Sequence, residues 1–152
     1  MGRIIDLEVV QFKAEHAQKV MASGSIENEG YDWDEQAVIL EESGEAMTLV
    51  SSDKDPVLCM GIIPLWEGCG EAWMLASEKL KTSERPIAIA RAIKEVFLEY
   101  SQHKEFRRVQ SNVRSDWPFA IKFVKFIGMK EEGLMQKFGP EGADYIRFAW
   151  IK

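Results

Sequence analysis

The stretch that decides the fold covers residues 120–129 and reads AIKFVKFIGM. Its apolar residues, among them Phe123 and Ile127, recur at helical spacing and predict an amphipathic helix. Gly128 follows the last of them and predicts a helix end with positive φ, because glycine adopts that conformation without a steric penalty. Met129 then opens a strand. The stretch therefore predicts a helix that stops at a glycine and passes directly into a strand.

Outward from this stretch, helical and alternating patterns predict seven strands and four helices. The segment Ser115-Asp116-Trp117-Pro118 is a helix-start signal. The predicted strands cover 4–10, 46–51, 57–63, 71–76, 108–113, 129–138 and 143–151, and the predicted helices cover 14–23, 32–42, 83–104 and 118–127. A helix between the fourth and fifth strands makes part of the sheet parallel. We therefore predict a single α/β domain over residues 1–152.

This order of elements resembles the fold of the GCN5-related N-acetyltransferases (GNAT) over nearly the whole chain. In that family, a segment A-x-x-(F/L)-Y-x-x-(L/I)-G-F carries a helix end into the sixth strand, and residues 120–129 are similar to it. Glu131-Glu132-Gly133, which follow, are also typical. The resemblance implies a GNAT-like fold, with a mixed central sheet of about seven strands, four helices, and splayed fourth and fifth strands. It implies an acyl-CoA N-acyltransferase that uses acetyl-CoA on an unknown amine.

A narrower resemblance links the chain to the GNAT-like proteins of tailed phages and prophages. It rests on the Trp-containing fourth strand, the glycine-poor loop after it, and the helix end Ile127-Gly128. Some of those proteins are internal virion or morphogenesis proteins. The resemblance implies an alternative function, a non-catalytic structural protein that contacts a protein partner in a phage particle. An exposed apolar patch would mark such a partner surface.

Residues 81–86 stand where the family has its phosphate loop, (R/Q)-x-x-G-x-(G/A). In the family, the N–H groups of this loop bind the pyrophosphate at a helix N-terminus. Both glycine positions differ here, since they hold Glu84 and Pro86, and Pro86 has no N–H. The resemblance assigns contacts with the cofactor to Leu75, Ala76, Ser77, Lys81, Thr82, Ser83, Arg85 and Asn112. The alternative for the loop is a plain helix N-cap.

The family's general acid falls on a residue that has no proton to give. The family has a tyrosine four residues before the helix-ending glycine, and that position is Val124. Tyr145 on the last strand is the candidate substitute, and its alternative role is packing. The asparagine that commonly precedes the family's helix lands on Trp117, so Asn112 is the candidate for that role.

The general base is expected at Glu71, on the fourth strand, where the family often keeps a carboxylate. Glu67 is a second candidate. A general base works best with a pKa near 7, which a carboxylate reaches only through burial. The alternative is that both carboxylates are solvated groups beside a glycine turn.

The splay of the fourth and fifth strands predicts a V-shaped opening. Residues 75–77 are expected on one wall and residues 111–113 on the other. The physical cause is that the loop 81–86 and the connection 114–118 leave the two strands in different directions. We expect Asn112 to satisfy backbone groups there, and Trp117 to swing over the gap as a plug when no cofactor is bound.

Composition limits the partners of this chain. The net charge is -6, which disfavours a phosphate backbone, and the basic cluster at 104–114 is short, so no nucleic-acid partner is expected. Two cysteines, Cys59 and Cys69, do not make a four-ligand zinc site, so no metal is expected. No apolar run approaches the ~20 residues that span a membrane. Asp6 and Glu8 interrupt the apolar start, which predicts a cytoplasmic protein, or a virion protein if it is phage-derived.

Overall fold

The computed structural model describes residues 2–4, 6–22, 32–81 and 85–152. Within these residues the strands are β1 (Arg3–Ile4), β2 (Leu7–Gln11), β3 (Glu45–Val50), β4 (Pro56–Trp66), β5 (Cys69–Ala76), β6 (Arg108–Arg114), β7 (Lys130–Met135) and β8 (Tyr145–Ile151). The helices are α1 (Ala14–Ala22), α2 (Trp33–Glu42), α3 (Glu78–Lys81), α4 (Pro86–His103) and α5 (Pro118–Phe126). The predicted α/β class is confirmed.

Hydrogen bonding joins the strands in the order β1-β2-β3-β4-β5-β6-β8-β7. The hairpin of β3 and β4 is antiparallel, as predicted, with Met47 opposite Met60. The pair β5–β6 is parallel, whereas β8 runs antiparallel to both β6 and β7. Helix α4 lies between β5 and β6 along the chain and provides the crossover that a parallel pair requires. The sheet therefore contains both parallel and antiparallel pairs, and the predicted mixed sheet is confirmed.

The structure differs from the expected elements at short segments. The additional strand β1 has two residues and the additional helix α3 has four, too few to leave a periodic pattern. Helix α4 begins at Pro86 because proline lacks only an N–H that the first helical turn leaves unpaired anyway. The expected turn at residues 68–70 is shorter, since Gly68 with φ +80° makes the turn and the buried Cys69 already begins β5.

Two compact units divide the chain. Unit 1 comprises residues 1–63 and 73–89, and unit 2 comprises residues 64–72 and 90–152. Strands β4 and β5 therefore pass from one unit into the other. The expectation of one domain over residues 1–152 stays a prediction.

In unit 1, helices α1 and α2 pack into one apolar core. Its buried residues are Phe12, Ala17, Val20, Met21, Ala37, Cys59 and Leu75. Trp73 meets Phe12 edge to face, with 5.2 Å between the ring centroids. The side chain of Asp32 caps α2 by accepting the N–H of Asp34 at 3.1 Å.

In unit 2, α5 and the part of α4 beyond Ile89 cover one face of the strands. Phe97 of α4 meets Trp150 of β8, with 6.2 Å between the ring centroids. Val109 and Phe148 on the same face are 0% exposed. Gly128 has φ +108° and directly follows Ile127, the C-cap residue of α5, so the helix-ending glycine predicted from the sequence is confirmed.

A partly buried histidine, His16, lies against Phe12 of the unit 1 core. The Nδ1 atom of His16 accepts the N–H of Lys13 at 3.1 Å and lies 2.9 Å from the hydroxyl of Thr48, which in turn lies 3.7 Å from Cys59 Sγ. Burial lowers the pKa of His16 below 6.5 and raises the pKa of Cys59 to about 12.

We expect the free energy of unfolding to decrease as the pH falls below 6.5, the ordinary pKa of histidine. The unfolded chain then binds a proton at position 16 that the folded chain takes up only at lower pH. Urea unfolding from pH 5 to 8 measures this slope. The pH dependence of the free energy of unfolding should decrease in His16→Asn. It should persist in His103→Asn, which alters the exposed histidine. Equal slopes in the wild type and His16→Asn would contradict the assignment.

Candidate functional site

Glu71 is held by two side-chain amides. It lies on β5 opposite Gln110 of β6 and is partly buried. Its Oε1 atom accepts hydrogen bonds from the amides of Gln110 at 3.2 Å and Asn112 at 3.3 Å. In the part of the chain that the structure describes, Oε2 has no hydrogen-bond partner. One oxygen of this carboxylate is therefore fixed, and the other can accept a proton.

Two arginines extend this arrangement on either side. The Nε atom of Arg108 donates to Gln110 Oε1 at 3.0 Å, and its Nη1 donates to Glu132 at 2.8 Å. The Nε atom of Arg147 donates to Asn112 Oδ1 at 3.1 Å. We call these six residues the Glu71 network: Glu132, Arg108, Gln110, Glu71, Asn112 and Arg147.

The ends of the Glu71 network differ in charge compensation. The hydrogen bond between Arg108 and Glu132 lowers the pKa of Glu132 and raises that of Arg108. Both groups therefore stay ionised and neutralise each other over a wide pH range. Arg147 has no such bidentate carboxylate partner among the residues described.

Strand geometry explains why the Glu71 network lies on one face of the sheet in unit 2. Alternate residues of a strand project to opposite faces, and residues opposite each other in a ladder project to the same face. In β6, Gln110 faces the same side as Glu71, and Asn112 faces the same side as Arg147 of β8. Val109 and Ser111, which alternate with these residues along β6, lie on the other face with Phe148, beneath α4 and α5.

Sequence reasoning found Glu71 and Asn112 but missed Gln110, Arg108 and Arg147. The sequence of β6 contains a pattern that could have indicated these residues, because Arg108, Gln110 and Asn112 alternate with the buried Val109 and Ser111. Arg147 similarly interrupts the apolar β8 between Ile146 and Phe148. A polar residue at every second position of a half-buried strand indicates a polar sheet face.

Tyr145 is not brought to Glu71. It begins β8 opposite Arg114, four residues beyond Gln110 along β6, which corresponds to about 13 Å of strand. Its ring is buried and packs edge-on against Phe138, with 5.4 Å between the centroids. The proposed role of Tyr145 as general acid stays a prediction.

The residues at the start of α5 and within it have structural partners. Val124 is 5% exposed and faces the core of unit 2. Trp117 precedes α5 without capping it by a side-chain hydrogen bond, and the guanidinium of Arg114 lies 5.4 Å from its ring centroid. Arg114 also forms an ion pair with Asp116. The expected swing of Trp117 over an opening stays a prediction.

The cofactor residues predicted on β5 and its extension belong to unit 1. Leu75 is buried in the core, and Ala76 is partly buried. The backbone N–H of Ser77 donates to the carbonyl of Val57 at 2.9 Å, and its hydroxyl accepts the N–H of Lys79 at 3.1 Å. Ser77 therefore caps the short helix α3.

The predicted phosphate loop is described only at its ends. Lys81 ends α3, while Arg85 is exposed and accepts the N–H of Ile89 through its carbonyl, at 3.1 Å, in the first turn of α4. Thr82, Ser83 and Glu84 lie outside the described residues.

The parallel ladder of β5 and β6 is short. It pairs Cys69 with Arg108, Gly70 with Val109 and Glu71 with Gln110. Strand β6 continues to Arg114 in its ladder with β8. The two strands are therefore not paired to their C-terminal ends, and the V-shaped opening expected beyond Glu71 stays a prediction.

Neither a metal-binding cluster nor a membrane-spanning helix is found among the described residues. No group of three or more His, Cys, Asp or Glu side chains is arranged to hold a metal ion. No helix found there combines the length and the apolar character that spanning a membrane requires.

Solved structures share this architecture. Ard1 from Thermoplasma volcanium superposes with a TM-score of 0.77 at 15% identity, over 96% of this chain and 97% of that chain. The ribosomal-protein-S18-alanine N-acetyltransferase from Escherichia coli gives 0.74 at 12% identity, over 95% and 93%. A mutant of the spermidine N-acetyltransferase SpeG from Vibrio cholerae gives 0.71 at 13% identity, over 95% of each chain.

The fold is that of the GNAT acetyltransferases. At sequence identities of 15% or less, the similarity to these structures shows the fold alone and leaves the substrate of this chain open. No family model matches the sequence, and no curated protein matches it as a relative. For this GNAT-fold chain, the chemistry must therefore be argued from its own side chains.

Proposed function

We propose that this protein transfers an acyl group from acyl-CoA to an amine, with Glu71 as the general base. The observation that carries the proposal is the Glu71 carboxylate, whose Oε1 is held by two amides while Oε2 has no partner in the described chain. An amine is protonated at neutral pH and is not nucleophilic in that form. Oε2 takes this proton, either directly or through one water molecule.

Gln110 and Asn112 position the base in this proposal. Two hydrogen bonds to one carboxylate oxygen fix the rotation of the group, so that Oε2 points in one direction. A fixed base reacts faster because less orientation has to be achieved in the transition state. Neither amide titrates, so both keep this role at every pH.

The first turn of α4 fits an anionic phosphate only in part. An 18-residue helix presents unpaired N–H groups and the positive end of its dipole there, and the exposed Arg85 adds a cation. Pro86 removes one N–H. Lys81 and Arg85 would hold acyl-CoA, together with the backbone of residues 75–77, and the bound molecule would supply an acyl group activated as a thioester. Val124 has no proton for the leaving thiolate, which therefore takes its proton from solvent, so we expect slow turnover.

Binding of acetyl-CoA should raise the melting temperature. A ligand at one hundred times its Kd stabilises the folded state by about 2.7 kcal/mol, which corresponds to roughly 5–11 °C for a chain of this size. Arg85→Glu should reduce the shift, while Arg91→Glu, an exposed change of equal charge on α4, should retain it. The release of CoA thiol in the presence of an amine panel then measures transfer.

A non-catalytic scaffold is the second candidate function. Besides Val124, it is supported by Trp66, which is 65% exposed at the end of β4. An exposed tryptophan suits a protein contact, because tryptophan is enriched among the residues that carry binding energy at interfaces. No melting shift at millimolar acetyl-CoA would refute our proposal and favour the scaffold, whereas turnover with any amine would exclude the scaffold. The narrower resemblance to phage proteins stays a prediction.

A further inference from the structure

A cation lies one amide away from Glu71. Asn112 bridges the two groups, because its Nδ2 donates to Glu71 at 3.3 Å and its Oδ1 accepts from Arg147 Nε at 3.1 Å. Only Nε of Arg147 is used in this way. Neither terminal nitrogen of its guanidinium has a hydrogen-bond partner among the described residues.

The two arginines of the Glu71 network differ in what they can still bind. Arg108 directs both terminal nitrogens at the two carboxylate oxygens of Glu132. Arg147 contributes to the lowered pKa of Glu132, but less than Arg108 does, and it forms no hydrogen bond with it. A guanidinium with two unused parallel donors is the side chain that binds a carboxylate in bidentate fashion.

The spacing between the two open groups limits what can bridge them. The two hydrogen bonds of Asn112 and the two bonds across its amide put at most about 9 Å between Glu71 Oε1 and Arg147 Nε. The open atoms, Oε2 of Glu71 and the terminal nitrogens of Arg147, lie about 2.3 Å from these two atoms, so at most about 13.5 Å separates them. A charged hydrogen bond at either end takes up about 2.8 Å. At most about 8 Å then remains between the ammonium nitrogen and the carboxylate oxygen of a bridging ligand. This span admits free amino acids and excludes ligands whose two charges lie farther apart.

We infer that the acceptor amine carries a carboxylate within about 8 Å of its nitrogen, as a free amino acid does. This inference rests on the proposed function and names the substrate class of the same site. Glu71 takes the ammonium group, and Arg147 takes the carboxylate. A polyamine does not suit this arrangement, because its second ammonium group meets the positive charge of Arg147.

The first experiment compares matched acceptors on the wild-type protein with acetyl-CoA. The standard L-α-amino acids and their α-carboxamides share amine and side chain and differ in the charge of the carboxyl group, and spermidine is added as a polyamine. We expect at least one amino acid to exceed its carboxamide about 10- to 100-fold in kcat/KM. Equal kcat/KM for the amino acids and their carboxamides, or a higher kcat/KM for spermidine, would overturn the inference and leave the proposed function standing.

The second experiment separates recognition from structure. Arg147→Gln should raise KM for the preferred amino acid about 10- to 100-fold and change KM for its carboxamide by less than about threefold. Arg147→Lys should recover part of the loss. Lys122→Gln, an exposed change of equal charge on α5, should leave both constants unchanged. A loss of equal size on both acceptors would mean a purely structural role for Arg147 and would refute recognition.

Calorimetry provides a readout that does not depend on turnover. The amino acids are titrated into the wild-type protein and into Arg147→Gln in the presence of CoA. Binding that is lost in Arg147→Gln, with no transfer to any amine, would support the carboxylate site and refute the proposed function. No binding of any amino acid to the wild type, together with no transfer, would refute both.

Discussion

Glu71→Gln is expected to lower kcat/KM for acyl transfer by about 10²–10⁴-fold, the usual contribution of a positioned general base. Glutamine has the shape of glutamate, and its Oε1 can still accept the two amides of Gln110 and Asn112. Its terminal NH₂ has no basic lone pair, so the ammonium group of the acceptor keeps its proton. The measurement is the rate of CoA thiol release, together with the acetyl-CoA melting shift, which should be retained.

Glu67→Gln is the matched control for this variant. Glu67 lies four residues earlier, is exposed in the turn before β5, and carries the same charge. It should retain the wild-type rate. The residual rate of Glu71→Gln should rise about tenfold per pH unit below the pKa of the amine, because the free amine then comes from solution. Equal rates in Glu71→Gln and the wild type would exclude Glu71 as the base.

Phe148→Ala is expected to cost about 3–5 kcal/mol of the free energy of unfolding, as truncation of a buried phenylalanine usually does. Phe148 is 0% exposed and lies on β8, on the face of unit 2 that α4 and α5 cover. Alanine leaves a cavity there because the two helices and the strand can collapse only partly. Since natural proteins are stable by about 5–15 kcal/mol, the variant is left with little stability. Urea denaturation measures the loss.

Phe119→Ala provides the comparison, because Phe119 is 54% exposed on α5. We expect a change within about 0.5 kcal/mol there, as is usual for surface positions. A loss below about 1 kcal/mol in Phe148→Ala would argue against the packing described for unit 2. Phe148 also adjoins Arg147 on β8, so Phe148→Ala should weaken the discrimination of carboxylated amines when the strand loosens.

The sequence was sufficient wherever structure depends on neighbours along the chain. The end of α5 at Gly128 followed from a glycine after an apolar periodic segment. The hairpin of β3 and β4 followed from two apolar runs around a polar turn. The short helix α3 and the exact start of β5 did not follow, because a few residues carry no period.

The candidate site could be predicted only in part. The sequence pointed to Glu71 and Asn112 one at a time, through the family resemblance, and they are 41 residues apart in the chain. It pointed with equal weight to Tyr145, which the register of β8 sets opposite Arg114 and away from Glu71. A shift of one residue in a ladder moves every side chain to the opposite face, and local pattern does not define the register.

The sequence by itself determined the order of the longer helices and strands, the glycine that ends α5, and the absence of a tyrosine at position 124. The tertiary structure alone decided that Glu71 meets two amides on one oxygen, and that Arg147 reaches Asn112 across 35 residues of sequence. The reason is physical. Helices and turns form through contacts a few residues apart, whereas the chemistry of a sheet face depends on which distant strands pair and in which register.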